Sequence, residues 1–322
     1  MLIKNIASRA TPTTSANQKY LSQRLQRGVT LLELMVGIAI GLLVVAVASG
    51  ALMVSRSVSG TVSDASSIQQ QATYAMRVIG QQLRQAGSLY LNPQPNPAEA
   101  GADAATLAAS VVVFEATAGD TSKSAADDLL STSPPLDYIN PATSTLLGSS
   151  SPDKLAVGYR RYKEAVYGSS TEQTLLRNCL GSPSDDAKND AQVKILSVFE
   201  RNDKNELQCT GNGTVQPLAR NVANFQVRYL LQDNSVPGAT KIQYVAASKV
   251  GTASDWGKVQ AAEVCLVLYG DEAIDLPADS AYTGCDGSSV NIPTTGAEAR
   301  RMHITFRNVF QLRSQGLLGT VL

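Results

Sequence analysis

The apolar positions of the chain change their pattern partway along. From Leu34 to Val54 they run unbroken: 21 residues carry no charge. At about 1.5 Å per residue a helix of that length covers roughly 30 Å, the hydrocarbon thickness of a bilayer. Beyond it the run gives way to three-four spacing. Val62, Ala65, Gln69, Ala72, Met76, Ile79, Leu83 and Ala86 form one stripe, with Gln69 the one polar break, and Ser63, Asp64, Gln70, Arg77, Arg84 and Gln85 lie opposite. Gly87 offers a stop. A single helix from Val29 to Ala86 is predicted, 58 residues, about 85–90 Å long. Its first half is an anchor. Its second half needs a sheet to cover the stripe, with coiled-coil dimerisation as the competing use. Gly41, Gly50 and Gly60 each lower helix propensity by about 1 kcal/mol relative to Ala. They fit close approach of neighbouring helices or a bend.

After the helix the period shortens. Tyr90 to Ala100 has prolines at 93, 95 and 97 and reads as an extended connector. Residues 115–153 are rich in Ser, Ala, Thr, Asp and Pro, and are expected to be a flexible surface insertion. Strand-like runs then recur at Ser110–Ala116, Lys154–Tyr159, Gln173–Cys179, Gln192–Phe199, Glu206–Thr210, Val222–Leu231, Lys241–Ala246, Glu263–Tyr269 and Arg301–Leu312. Alternation is clearest in Phe225–Tyr229 and Met302–Phe306. A long helix followed by mostly antiparallel strands predicts an α+β fold with the helix laid on the sheet. The expected divisions are 1–28, 29–54, 55–90 and a β-rich domain at 91–322.

Composition narrows the chemistry. The chain has 322 residues, 43% hydrophobic and 17% charged, enough for one or two globular domains. Lys plus Arg equals Asp plus Glu at 27 each, so no global charge points to nucleic acid. The balance hides an asymmetry. Residues 1–28 hold Lys4, Arg9, Lys19, Arg24 and Arg27 and no acid, which leaves the rest at net −5. A basic flank of this kind keeps its side of a membrane helix in the cytoplasm. A secretory signal cleaved at Ala46-Val47-Ala48 competes for this segment, but its apolar region would span about 7–15 residues, shorter than the run here. His303 is the only histidine, which excludes a histidine-cluster metal site and leaves any Ser-His-Asp or Cys-His enzyme to this one residue. No catalytic, cofactor or metal site is expected, and no enzymatic activity.

The remaining motifs have bland readings. His303, between Met302 and Ile304, belongs on a sheet face without chemistry. Trp256 is expected in the core. Gly211-Asn212-Gly213 lacks the third glycine of a dinucleotide site and reads as a loop. Asp203-Lys204-Asn205-Glu206 lacks a full calcium loop and reads as a hairpin turn. Arg300 and Arg301 beside Glu298 read as a solvated strand entrance rather than a basic patch. Cys179, Cys209, Cys265 and Cys285 include no C-x-x-C pair, which argues against a zinc ribbon or a thioredoxin-type site. All four lie beyond the anchor, on its oxidising side. Three connectivities are open. The local one, Cys179–Cys209 with Cys265–Cys285, closes segments of about 20–30 residues, each bridge worth roughly 2–4 kcal/mol. It is preferred over the others and over free buried thiols.

The junction before the apolar run reads Arg27-Gly28-Val29-Thr30-Leu31-Leu32-Glu33-Leu34-Met35-Val36. A small residue after a basic one, then a single glutamate at the mouth of an uncharged helix, resembles the type IV prepilin signature. Valine stands where that family more often has phenylalanine. The resemblance implies cleavage after Gly28 by a prepilin peptidase on the cytoplasmic face and methylation of the new amine on Val29. It also supplies a partner for Glu33. A carboxylate at a bilayer centre costs about 2.5–3.5 kcal/mol, and less near the interface. The implied partner is the N-terminal amine of a neighbouring subunit, a pair that would set axial register. The competing reading is a first-turn Glu favoured by the helix dipole and exposed to headgroups.

The mature chain of 294 residues is long for a major pilin and resembles the PilW-type minor pilins. Beyond 27–54, the resemblance rests on Arg84-Gln85-Ala86-Gly87, Asp153–Tyr159, Val222–Tyr229, Trp256–Val259 and Phe306–Arg313, and it excludes 91–152. It implies a pilin architecture and a role in priming type IV pilus assembly within a minor-pilin complex at the tip, supporting twitching motility and adhesion. Implied partners are other minor pilins, the major pilin, the prepilin peptidase, the inner-membrane assembly platform, membrane lipid and a large tip adhesin. The implied location is the inner membrane, crossed once, with the C-terminal domain in the periplasm and then in the fibre. A minor pseudopilin of a type II secretion system shares the junction and is the alternative. A membrane-anchored periplasmic enzyme is disfavoured by the single histidine. A DNA- or substrate-binding module is disfavoured by the net −5.

Overall fold

The computed structural model describes residues 28–87, 91–92, 113–114, 118–126, 128–140, 143–168, 172–182, 192–233, 239–277 and 279–313. The leader at 1–27 and the connector at 93–100 lie outside the described residues. Two compact units divide between Ser55 and Arg56. One helix, α1 (Leu31–Gln85), contributes to both.

The first unit shows the helix uncovered. Every large apolar residue from Val29 to Val54 is 49–76% exposed. A helix apolar on all sides, with none of them covered, suits lipid or a bundle of other helices rather than water. It is also long and apolar enough to cross a membrane.

In the second unit α1 buries a stripe made of Ile68, Ala72, Ala75, Met76, Ile79, Leu83 and Ala86. Its later half follows the expected spacing. Its start does not: Val62 and Gln69 are exposed, and Asp64 and Ile68 turn inward. The reason is a backbone partner that no periodicity reports. Asp64 accepts the N–H of Glu272 at 2.9 Å, which makes burial of its carboxylate tolerable. The helix ends where Gly87 takes φ +65° and donates its N–H to Gly158.

Two short antiparallel pairs come first, β1 (Leu91–Asn92) with β2 (Val113–Phe114), and β3 (Ala118–Gly119) with β4 (Tyr138–Ile139). A five-stranded antiparallel meander follows: β5 (Leu146–Ser150), β6 (Asp153–Arg160), β7 (Lys194–Arg201), β8 (Leu207–Gly211) and β9 (Thr214–Ala219), paired in chain order. Then come β10 (Val222–Asp233), β11 (Lys241–Ala246), β12 (Val259–Ala273), a hairpin of β13 (Ala281–Thr283) and β14 (Ser289–Asn291), and β15 (Arg301–Gln311). The second sheet runs β11-β10-β12-β15, all antiparallel. The architecture is therefore a long N-terminal helix with antiparallel sheets, the α+β class.

One core joins these layers. The α1 stripe shares it with Leu155, Val157 and Tyr159 of β6, Phe199 of β7, Tyr229 of β10 and Leu266 and Leu268 of β12. Strand β12 is buried on both faces, since Cys265 and Val267 form a second cluster with Cys285. That explains its near-continuous apolar run. A polar node sits inside the core at Gln82. Its Oε1 accepts from Tyr159 (3.0 Å) and Ser197 (2.8 Å), and its Nε2 donates to the Arg177 carbonyl (3.2 Å). Burial pushes the Tyr159 phenol well above its ordinary pKa, so it stays a donor.

Three expectations need correction. The segment 115–153 is no bare insertion: Leu129, Tyr138, Ile139 and Leu146 are buried and β5 joins the meander. Apart from the adjacent Tyr138 and Ile139, these apolar residues are too widely spaced for a periodic signal. Gln173–Cys179 is not a strand. Only Gln173 bridges to Glu164, and Arg177 donates to the carbonyls of Thr174 and Leu176 instead. Strand β9, unforeseen, pairs with β8 through a two-residue turn in which Asn212 (φ 47°) and Gly213 (φ 89°) both take positive φ. A right-twisted hairpin favours that geometry.

Candidate functional site

The junction residues lie at the start of α1. Thr30 is its N-cap: the hydroxyl accepts the N–H of Glu33 at 3.2 Å, and its carbonyl accepts that of Leu34 at 3.0 Å. Glu33 occupies the third helical position, where the Thr-x-x-Glu spacing places the acid of a capping box and the helix dipole favours a negative charge. Thr30 was not among the expected site residues. Its signal is that same spacing.

Gly28 and Val29 precede the cap. A Cβ placed on Gly28 meets nothing within 4 Å among the described residues, so packing within the chain does not demand glycine there. Val29 is 68% exposed. Glu33 is exposed too, and no described residue forms an ion pair with its carboxylate. What the geometry offers is an accessible peptide bond ahead of a capped helix, then a single carboxylate one turn in, on a surface otherwise apolar to Val54.

The cysteines lie far along the chain, in two places. Cys179 joins Cys209, tying the 174–182 loop to β8, with Cα atoms 6.5 Å apart. Cys265 joins Cys285, fixing the β13–β14 hairpin to β12 across 5.7 Å. Both are the local pairs, and all four sulfurs belong to buried residues.

The other singled-out residues are accounted for by packing. Trp256 is buried against Tyr229, their rings edge-on at 4.7 Å. His303 is buried, stacked on Tyr282 at 4.6 Å, with Nδ1 2.9 Å from the Arg301 carbonyl and Nε2 3.8 Å from Glu298. Arg300 pairs with Asp275 at 2.7 Å, while Arg301 donates to the Gly270 and Asp271 carbonyls. Asn205, at φ +59°, forms part of the turn between β7 and β8. Among the described residues no group of three His, Cys, Asp or Glu is placed to hold a metal ion.

Two family models match the chain. Residues 23–49 match the prokaryotic N-terminal methylation motif, which takes in Gly28, Val29 and Glu33. Residues 187–314 match Type IV Pilus-assembly protein W, a span that runs from β7 through β15. Among solved structures, a type IV-like pilin from Thermus thermophilus is similar at 12% identity, over 77% of this chain and 96% of that one, with a TM-score of 0.35. No curated protein matches the sequence.

Proposed function

Starting from a chain that is a PilW-like type IV pilin, we propose that it is a minor pilin that primes pilus assembly within a tip complex. On this reading the leader through Gly28 is removed on the cytoplasmic side and the new amine of Val29 is methylated. Residues 29–54 cross the inner membrane once, and the domain from Arg56 onward lies in the periplasm until it enters the fibre. The partners are other minor pilins and the major pilin, and the contribution to motility and adhesion follows from assembly. The protein acts as a subunit and not as an enzyme.

The observation that carries this is the pairing of two features at one helix start. The apolar surface of α1 is bare from Val29 to Val54, and its sole acid, Glu33, has a carboxylate with no ion-pair partner among the described residues. In a membrane alone, Glu33 would be a mild liability. In a bundle of like helices, a neighbour's N-terminal amine would neutralise it, and a mismatched register would leave two desolvated charges unpaired. A carboxylate of this kind selects position more than it adds strength.

Glu33→Ala tests the reading. Membrane insertion should be unchanged or slightly better, because a charge leaves the segment. Cross-linking to fellow pilins and surface piliation should fall. Normal cross-linking and piliation at matched membrane abundance would refute the pairing role. Loss of the protein from the membrane would instead assign Glu33 to folding or export.

A further inference from the structure

A cavity of about 900 Å³ opens between the exposed flank of α1, the 174–182 loop and β9. Arg77 and Arg84 from α1, Arg177 from the loop and Arg313 after β15 all line it, and no aspartate or glutamate does so among its lining residues. This concentration stands out in a chain that is net −5 beyond Gly28. Arg77 and Arg84 are seven residues apart on the helix, so their Cα atoms lie about 10 Å from one another along its axis. That separation is too wide for both to close on a single small anion, and it is spanned by carboxylates at different positions of one extended segment, whose same-face side chains repeat about every 6.6–6.8 Å.

The wall opposite α1 is fixed in place. Cys179 lines the cavity and is bonded to Cys209 of β8. The Arg177 guanidinium is held by the Thr174 carbonyl at 2.5 Å and the Leu176 carbonyl at 3.0 Å. The Arg177 carbonyl in turn receives Gln82 and Tyr159 from the core. A preorganised guanidinium loses little freedom on pairing with a carboxylate. Amides of Gln81, Gln85 and Gln216 and apolar Leu175 and Leu218 complete the lining. This mixture of amide and aliphatic surface suits a peptide more than a phosphate backbone. Strand β9 is the meander's edge, but Pro217 within it has no N–H to offer. Recognition therefore falls to the arginine side chains rather than to strand pairing.

We propose that this groove binds an extended acidic segment of a partner protein, its carboxylates meeting Arg77, Arg84, Arg177 and Arg313. The inference does not depend on Glu33 or on the membrane half of α1. The test uses the full chain in a non-ionic detergent and fluorescence anisotropy of three labelled probes: a synthetic peptide of alternating Glu and Val, its Lys–Val counterpart, and a single-stranded oligonucleotide of equal negative charge. The Glu peptide should bind, and more weakly as salt rises. Arg77→Glu combined with Arg84→Glu should weaken it by about tenfold or more, since charge-assisted bonds at two positions are lost. Both side chains are exposed, so Trp256 emission should be unchanged and report an intact fold. The double change Cys179→Ser and Cys209→Ser, with every arginine present, should weaken binding by loosening the wall. Equal binding of the Glu and Lys peptides, absence of binding, or tighter binding of the oligonucleotide would each overturn the proposal.

Discussion

The two halves of α1 obey different rules although they belong to one continuous helix. Up to Val54 the apolar side chains surround the axis, and the large ones are all at least 49% exposed. After Arg56 they narrow to a stripe that a β-rich domain buries, with Leu83, Ile79 and Ala72 at 0% exposure. The first half has no internal partner, so its stability in place is a property of its surroundings. The second half is bound to this chain's own sheets, so its stability is a property of the fold. Helix propensity does not distinguish them. What distinguishes them is where the apolar surface is satisfied.

The sharpest break in that comparison lies at the leader. Gly28→Asp places a charged side chain where a peptidase would have to fit a small residue, and packing among the described residues gives no reason for glycine there. The precursor should remain uncut while the C-terminal domain folds normally. Mass spectrometry of membrane protein reads this directly: wild type should begin at methylated Val29. A mature chain beginning after Ala48 would remove the anchor and defeat the whole reading of the first half.

Next in size is a matched pair of truncations. Leu83→Ala should cost about 2–5 kcal/mol, because a fully buried leucine leaves a cavity. Leu43→Ala, at a position 65% exposed, should leave domain stability unchanged within about 0.5 kcal/mol. Urea unfolding of the full chain, followed by Trp256 emission, measures both. Equal effects would mean that the two halves are not energetically distinct.

A smaller effect is expected at Asp64. Replacement by Ala removes the acceptor for the Glu272 N–H and should cost about 1–3 kcal/mol, whereas Asp64→Asn keeps an acceptor oxygen and should cost less. If Asp64→Ala were neutral, the inward turn of the stripe at this residue would have no energetic basis.

The smallest concerns acid. The Lys258 ammonium, together with the Thr252 hydroxyl and N–H, holds the Asp255 carboxyl at about 2. Its folded pKa is depressed, so the contribution is complete above the ordinary aspartate range. It is lost as pH falls towards 2. Asp255→Asn should make the acid limb of the stability–pH curve shallower there, by an amount limited by the exposure of the site.

How much of this could be read from the chain depends on the distance over which each signal acts. The junction is local: Gly28, Thr30, Glu33 and the uncharged run stand within one stretch and need no tertiary information. The cysteine pairs also close short segments, which is why the nearer partners were favoured. The stripe was legible from Ala72 to Ala86 and misread at its start, because Ile68 and Asp64 face inward on account of a backbone N–H 208 residues away. Leu129, Tyr138 and Ile139 were missed since the first is buried alone and the other two form a strand of only two residues, in a polar context that resembles a loop. The arginine groove was invisible for the same reason. Arg77, Arg177 and Arg313 are remote in sequence and meet only after the helix, the loop and β15 are in place.

The buried amide of Gln82 has a mechanical consequence. Tension along α1 would have to slide the helix past the sheets to release it, in steps of about 5.4 Å per turn. A one-turn slip in either direction would present Val78 or Ala86 where Gln82 now sits. Neither can accept from Tyr159 and Ser197 or donate to the Arg177 carbonyl. Tyr159 would keep the Arg177 carbonyl as an acceptor, but the Ser197 hydroxyl left without one would cost about 1–3 kcal/mol before any apolar contact is counted. Apolar stripes alone permit creep, because one methyl group resembles the next. The amide acts as a pawl, holding the rod in a single notch under load.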